Sequence, residues 1–323
     1  MRKKLIVLLA CMVAAGITGT LLIAFINRNK GNDTGDGDSK LMIVTSFYPT
    51  YIIGLNIAEG IPGLLVDSLT DFSAGCLHDY QLTTGDMKLL SNADVFLMNG
   101  GGMESYMEDV VRNYPDLTIL EISEGIDMLP SGEHEGEDNP HVWLDPQRYL
   151  LQIRNARDGL VHFINQQTEL DSEYREDTVS KINENTEQYL EKINILEEEL
   201  EALALELKGR DNKVNSDNVI IFHEAFAYLA KRVGLTVAHT VEMEGDTAFS
   251  ASEIAAVIEL VKKEDIGSLF TEEQYGDTIT DRIAGETGAI AYQIDSAVTG
   301  EGTKDSYLKA MEKNLNTLKE AFR

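Results

Sequence analysis

"DSEYREDTVSKINENTEQYLEKINILEEELEALALELK", Asp171 to Lys208, contains neither glycine nor proline and is crowded with Glu, Leu, Lys and Ile. Turn residues appear only afterwards, in "KGRDNKVNSDN", Lys208 to Asn218. One continuous helix over this stretch would extend about 57 Å, longer than a small domain is wide. The alternative is two shorter helices with an unmarked break. A single strut of that length has to join two bodies, so the sequence on either side decides what they are.

Both sides alternate short apolar runs with helical patterns. Before the strut, "LMIVTSF" (Leu41 to Phe47), "GLLVDSL" (Gly63 to Leu69), "DVFLMNG" (Asp94 to Gly100) and "LTILEIS" (Leu117 to Ser123) have the character of buried strands. After it come "NVIIF" (Asn218 to Phe222), "LTVAHTV" (Leu235 to Val241), "IGSLFT" (Ile266 to Thr271) and "AIAYQI" (Ala289 to Ile294). Such alternation implies parallel sheets covered on both faces. The expected class is therefore α/β: two lobes, each a parallel sheet flanked by helices, joined by a single long rigid helix. The length of 323 residues fits this plan. The expected boundaries are residues 41–170 for the first lobe, 171–208 for the linking helix and 209–323 for the second lobe. No internal repeat stands out, and the one biased block is the acidic "SGEHEGED", Ser131 to Asp138.

Hydrophobic residues make up 43% and charged residues 25%, enough apolar material for real cores. The net charge of −28 argues against nucleic-acid binding, which needs a basic footprint, and suits attraction of cations. Most of those carboxylates serve solubility. The two cysteines, Cys11 and Cys76, make neither a disulfide framework nor a thiolate cluster, because Cys11 lies in the N-terminal apolar segment.

Arg2, Lys3 and Lys4 precede an uncharged run from Leu5 to Phe25, about the 20 residues that a spanning helix requires. The denser positive charge before it favours a cytoplasmic N-terminus and an exported body. Within the run, "LLAC" (Leu8 to Cys11) resembles a lipobox, although the apolar character continues past the cysteine. Residues 1–30 are thus expected to be a membrane anchor or signal segment. Residues 31–40 form a flexible tether within the polar stretch "NRNKGNDTGDGDSK", Asn27 to Lys40.

Three of the six histidines fall at comparable places in different units. His78, in "GCLHDYQLTTGDMKLL", follows the second strand; His141, in "NPHVWLDP", lies in a loop braced by Pro140 and Pro146; His223, in "VIIFHEAFAYLAKRVGL", stands where a strand gives way to a helix. Ligands of open α/β sheets bind at strand C-terminal ends, so three imidazoles from two lobes point to one metal-binding cleft. His162 and His239 read as structural. Cys76, two residues before His78, is within reach of such a metal but reads first as a small buried or neutral residue.

These stretches resemble the zinc- and manganese-binding solute receptors of bacterial ABC importers, a two-lobed family with a rigid linking helix. The likeness extends from about Leu41 to Arg323 and is carried by "TSFYPTY", "HDYQLTTGDM", "ADVFLMNGGGME", "PHVWLDP", "FHEAFAYLAKRVGL", "LFTEEQYGD" and "YQIDSAVTGEG". The resemblance implies metal ligands at His78, His141 and His223, with Asp295 as the carboxylate at the end of the last strand. Glu272, in "FTEEQ", matches a position often acidic in the family and is read as a supporting or accessory group; His134, in the acidic loop, is either an accessory metal-capturing residue or part of a solvated loop. Three imidazoles and one carboxylate suit Zn2+, whereas more carboxylate would move the preference towards Mn2+. His223 occupies a position commonly Glu in the manganese-specific members, which favours zinc.

The implied function is an extracytoplasmic receptor that captures Zn2+ between two lobes and delivers it to an ABC permease with its cytoplasmic ATPase. A monomer is expected, held at the outer face of the cytoplasmic membrane by residues 5–25 or by lipid at Cys11. A manganese or dual-metal receptor is the alternative. A zinc hydrolase is a weaker one, since there is no HExxH helix and a fourth protein ligand would close the site to catalytic water. An added adhesin role is compatible with a tethered exported protein.

Overall fold

The computed structural model describes residues 41–77, 80–132, 136–209, 217–241, 250–272 and 278–323. The anchor and tether, as well as His78 and His134, lie outside the described residues. Among the described residues no helix is long and apolar enough to cross a membrane.

The first sheet is built from β1 (Leu41–Thr45), β2 (Leu64–Ser68), β3 (Val95–Met98) and β4 (Thr118–Glu121), all parallel, in the order β2-β1-β3-β4. The two inner strands read as continuous apolar runs because helices cover both faces, while the edge strand β2 alternates between buried and exposed residues. Helices α1 (Tyr48–Ile57), α2 (Thr84–Leu90) and α3 (Met107–Asn113) provide the crossovers. A short antiparallel hairpin, β5 (Leu129–Pro130) with β6 (Asp138–Asn139), flanks the acidic loop and was not expected from the sequence. The chain then makes a 3-10 turn at Val142–Leu144 and enters α4 (Pro146–Gln166).

Helix α5 runs unbroken over Ser172–Lys208, 37 residues or about 55 Å. Asp171 is its N-cap, the carboxylate accepting from the N–H groups of Glu173 and Tyr174 at 2.9 and 3.2 Å. Ile182, Thr186, Tyr189, Ile193, Leu196, Leu200, Leu203 and Leu207 are buried at steps of four and three, a narrow apolar stripe along an otherwise charged helix. That stripe belongs to a hydrophobic core reaching from β1 through α4 and α5 to the strand Asn218–Ile221 and the C-terminal helix.

The second sheet comprises β7 (Asn218–Ile221), β8 (Thr236–Thr240), β9 (Ser268–Glu272) and β10 (Ile290–Ile294), again all parallel, in the order β10-β9-β7-β8. Helices α6 (Phe226–Arg232), α7 (Ala251–Glu264), α8 (Thr278–Thr287) and α9 (Ser306–Ala321) accompany it. Counted from its own first strand, this sheet has the same strand order as the first. The two lobes thus share one topology, although no repeat is visible in the sequence.

Aromatic rings fasten the lobes together. Tyr149 of α4 stacks on Tyr307 of α9 at 3.8 Å, and its hydroxyl lies 3.1 Å from that of Tyr189 on α5. The Tyr307 hydroxyl donates to the carbonyl of Trp143 at 2.7 Å. On the other side, Arg232 of α6 pairs with the part-buried Glu197 of α5, Nε to Oε2 at 2.8 Å.

Candidate metal centre

In each sheet the chain order reverses between the two inner strands, which opens a crevice at their C-terminal ends. In the second lobe these strands are β7 and β9. His223 leaves the end of β7 and Glu272 is the last residue of β9, so the two side chains flank that crevice. The His223 Nδ1 lies 3.4 Å from Glu272 Oε2, with the side chains 12% and 4% exposed. Among the described residues neither Nδ1 of His223 nor Oε1 of Glu272 has a hydrogen-bond partner, so the two groups stand together as unpaired polar atoms at the crevice.

The first lobe contributes its loop. Asn99, at the end of β3, donates through Nδ2 to the Pro140 carbonyl at 3.0 Å. Trp143 is fully buried, packs edge-on against Phe47 at 5.2 Å and donates its indole N–H to the Ser296 carbonyl, just past β10, at 2.9 Å. Ala297 beyond it takes a left-handed conformation, φ 56°, with its N–H held by Asp295 Oδ1 at 2.8 Å. Clamped in this way, the loop seats His141 out of solvent with its ring centroid 4.9 Å from that of His223.

The protonation of His141 follows from its neighbours. Asn139 donates its amide nitrogen to the Glu224 carbonyl at 3.0 Å, so its amide oxygen is the atom turned to His141. That oxygen lies 2.8 Å from His141 Nδ1 and also accepts from the His141 backbone N–H at 3.0 Å. An amide oxygen only accepts, so Nδ1 carries a proton, and in the neutral ring Nε2 is the atom that presents a lone pair. The Glu224 carboxylate stands 3.8 Å from Nδ1 and itself accepts from Ser131 Oγ at 2.9 Å and Gly132 N at 3.0 Å. The residue after His223 thereby holds the start of the acidic loop.

Nε2 of His141 faces the Cys76 sulfur at 3.7 Å. Among the described residues, Cys76, His141 and His223 form a group whose ligand atoms all lie within 4.8 Å of one another. Cys76 is half-buried and beside two imidazoles, within the reach that the sequence suggested. Asp295 is outside this group; besides capping Ala297, it is held through its backbone by Asn314, at 2.7 Å in both directions. His162 is exposed on α4 beside Gln166, and His239 is exposed on β8.

Sequence reasoning also passed over Asn139 and Glu224. Asn139 has a legible signal, since an Asn two residues before a histidine can accept from its backbone N–H. Glu224 has none, because its partners come from the other side of the chain. Behind the loop, burial pushes the Glu104 carboxyl up to about 7, against the opposing effect of Ser46 and of the Gly100 and Asn99 N–H groups. Those two N–H groups lie 3.0 and 2.8 Å from its oxygens.

Residues 43–321 match the family model described as zinc-uptake complex component A, periplasmic. The chain is 27% identical over 299 residues to the iron-binding protein YfeA of Yersinia pestis, covering 90% of this chain and 89% of that protein. It is 28% identical over 305 residues to the manganese-binding lipoprotein MntA of Halalkalibacterium halodurans, with 92% and 94% covered. Among solved structures, the metal-dependent lipoprotein YcdH of Bacillus subtilis superposes with a TM-score of 0.69 at 26% identity, over 88% of this chain and 100% of that one. With two parallel α/β lobes, a single linking helix and imidazoles meeting between the sheets, the chain belongs to the ZnuA family of extracytoplasmic metal-binding receptors of ABC importers, which are binding proteins and not enzymes.

Proposed function

We propose that this chain is a zinc receptor: it captures Zn2+ between the lobes through His78, His141, His223 and Asp295 and hands it to an ABC permease driven by a cytoplasmic ATPase. The observation that carries this is the pair of imidazoles from the two lobes, with His141 held in the neutral tautomer that ligates metal. Neutral imidazoles suit Zn2+ better than Mn2+, which prefers more oxygen. The metal is cargo, so a site that closes on all sides serves retention until the permease opens it.

The manganese or dual-metal alternative draws on Glu272, whose Oε1 is buried beside His223 without a hydrogen-bond partner among the described residues. Turned towards the metal, it would add a second carboxylate. Competition titration of the metal-free protein separates the two readings: Zn2+ should displace Mn2+ by several orders of magnitude in affinity, and comparable affinities would favour the dual-metal receptor.

The receptor acts as a monomer at the outer face of the cytoplasmic membrane, tethered by residues 5–25 or by lipid at Cys11. Salt washing removes electrostatic attachment but not a spanning helix or an acyl-anchored chain. A full-length product retained on washed membranes supports the helix, a lipid-bearing product starting at Cys11 supports the lipobox, and a soluble product starting near Asn27 excludes both.

A further inference from the structure

We infer that Cys76 is itself a metal ligand and the residue that biases this receptor towards thiophilic divalent cations. The inference rests on the metal-receptor reading and adds to it a donor that the three-histidine, one-carboxylate set lacks. Neighbouring ligands of one zinc, a sulfur at about 2.3 Å and an imidazole nitrogen at about 2.0 Å, are themselves separated by about 3.0–3.7 Å at the bond angles of four- or five-coordinate zinc. The Cys76 Sγ and His141 Nε2 are 3.7 Å apart, at the upper end of that range.

A thiol hydrogen bond to an imidazole would give a similar distance, and the third partner distinguishes the two arrangements. A ring nitrogen of His223, from the opposite lobe, lies within 4.8 Å of the donor atoms of both residues, so a third donor joins the pair. His141 is also oriented from behind. Asn139 holds its Nδ1 at 2.8 Å, and the support leaves Nε2 directed away from the scaffold that fixes the ring.

Charge points the same way. His141 is fully buried, and a divalent cation taken out of water there needs compensation. Neutral imidazoles supply none. One thiolate and one carboxylate neutralise a divalent ion, and binding then releases the thiol proton to solvent. Sulfur ligation favours zinc and cadmium over manganese and iron(II), because the softer donor is a poor partner for harder cations.

The test is X-ray absorption on the full-length chain in detergent, loaded with Zn2+ alone, compared with the Cys76→Ser variant. The wild type should show a sulfur scatterer at about 2.3 Å together with nitrogen or oxygen at about 2.0 Å. Cys76→Ser should keep zinc and its imidazole scattering and lose the sulfur, which also rules out Cys11 as its source. Competition titration should show the preference for Cd2+ over Mn2+ falling about tenfold or more in the variant. Zinc bound only by nitrogen and oxygen in the wild type would overturn ligation by Cys76 while leaving the receptor reading intact. A wild-type chain that binds none of these cations would overturn both.

Discussion

The amide oxygen of Asn139 lies 2.8 Å from His141 Nδ1, and the amide nitrogen of the same side chain is tied to the Glu224 carbonyl of the other lobe. One asparagine thus sets both the tautomer of His141 and the seating of its loop. Asn139→Ala should lower zinc affinity roughly 10- to 100-fold, the usual cost of losing a supporting partner. Competition titration with a chromophoric chelator would measure it, and an unchanged affinity would mean that the tautomer is fixed by something else.

Replacing His223 should cost more. It sits at a strand end with 12% of its side chain exposed, so His223→Ala removes an imidazole with little loss of packing. Zinc affinity should fall beyond the roughly 100-fold range of a supporting group, with the far-ultraviolet dichroism unchanged. His141→Ala is a less clean variant because that ring is fully buried against Trp143, and a fall in stability would accompany the fall in affinity.

Trp143 bonds across the lobes through its indole N–H, 2.9 Å from the Ser296 carbonyl. Trp143→Phe preserves the aromatic packing on Phe47 and deletes the donor. The expected loss is about 1–3 kcal/mol, the penalty of leaving a buried acceptor unpaired. Urea unfolding of both proteins would report it, and a loss below a few tenths of a kcal/mol would show that this bond contributes nothing net.

Glu104 makes stability depend on pH. Its folded carboxyl is raised from 4.5 to about 7, chiefly by burial, so the native state holds a proton that the unfolded chain releases. The associated stability is fully present below pH 4.5 and is lost as pH rises through about 7. Melting temperatures of the metal-free protein should therefore contain a component that falls between those limits. Glu104→Gln should flatten it, and an identical profile in the variant would assign the dependence to other groups.

The continuous core along α5 resists hinge motion. Its buried stripe from Ile182 to Leu207 joins both lobes, and Tyr149, Tyr189 and Tyr307 lock α4, α5 and α9 to one another. Zinc should order the surroundings of Asp295, with little change of lobe angle. Hydrogen exchange should show new protection there and almost none along Ser172–Lys208. A large contraction in small-angle scattering on adding zinc would contradict the strut.

The amino-acid sequence by itself determined the elements. Each of the eight parallel strands lies where an apolar run stands between turn signals, and α5 fills the stretch without Gly or Pro, because periodicity and chain breakers act locally. It also placed His141 in a loop braced by Pro140 and Pro146 and His223 at a strand end, the position that open sheets use for ligands. Tertiary structure alone decided what meets those histidines. Cys76 lies 65 residues from His141 in the chain, and Glu224 reaches Ser131 across 93, so no local pattern encodes either contact. The matching strand order of the lobes was hidden for a related reason: topology repeats through strand pairing, which tolerates any apolar residues of suitable shape and leaves no repeated letters behind.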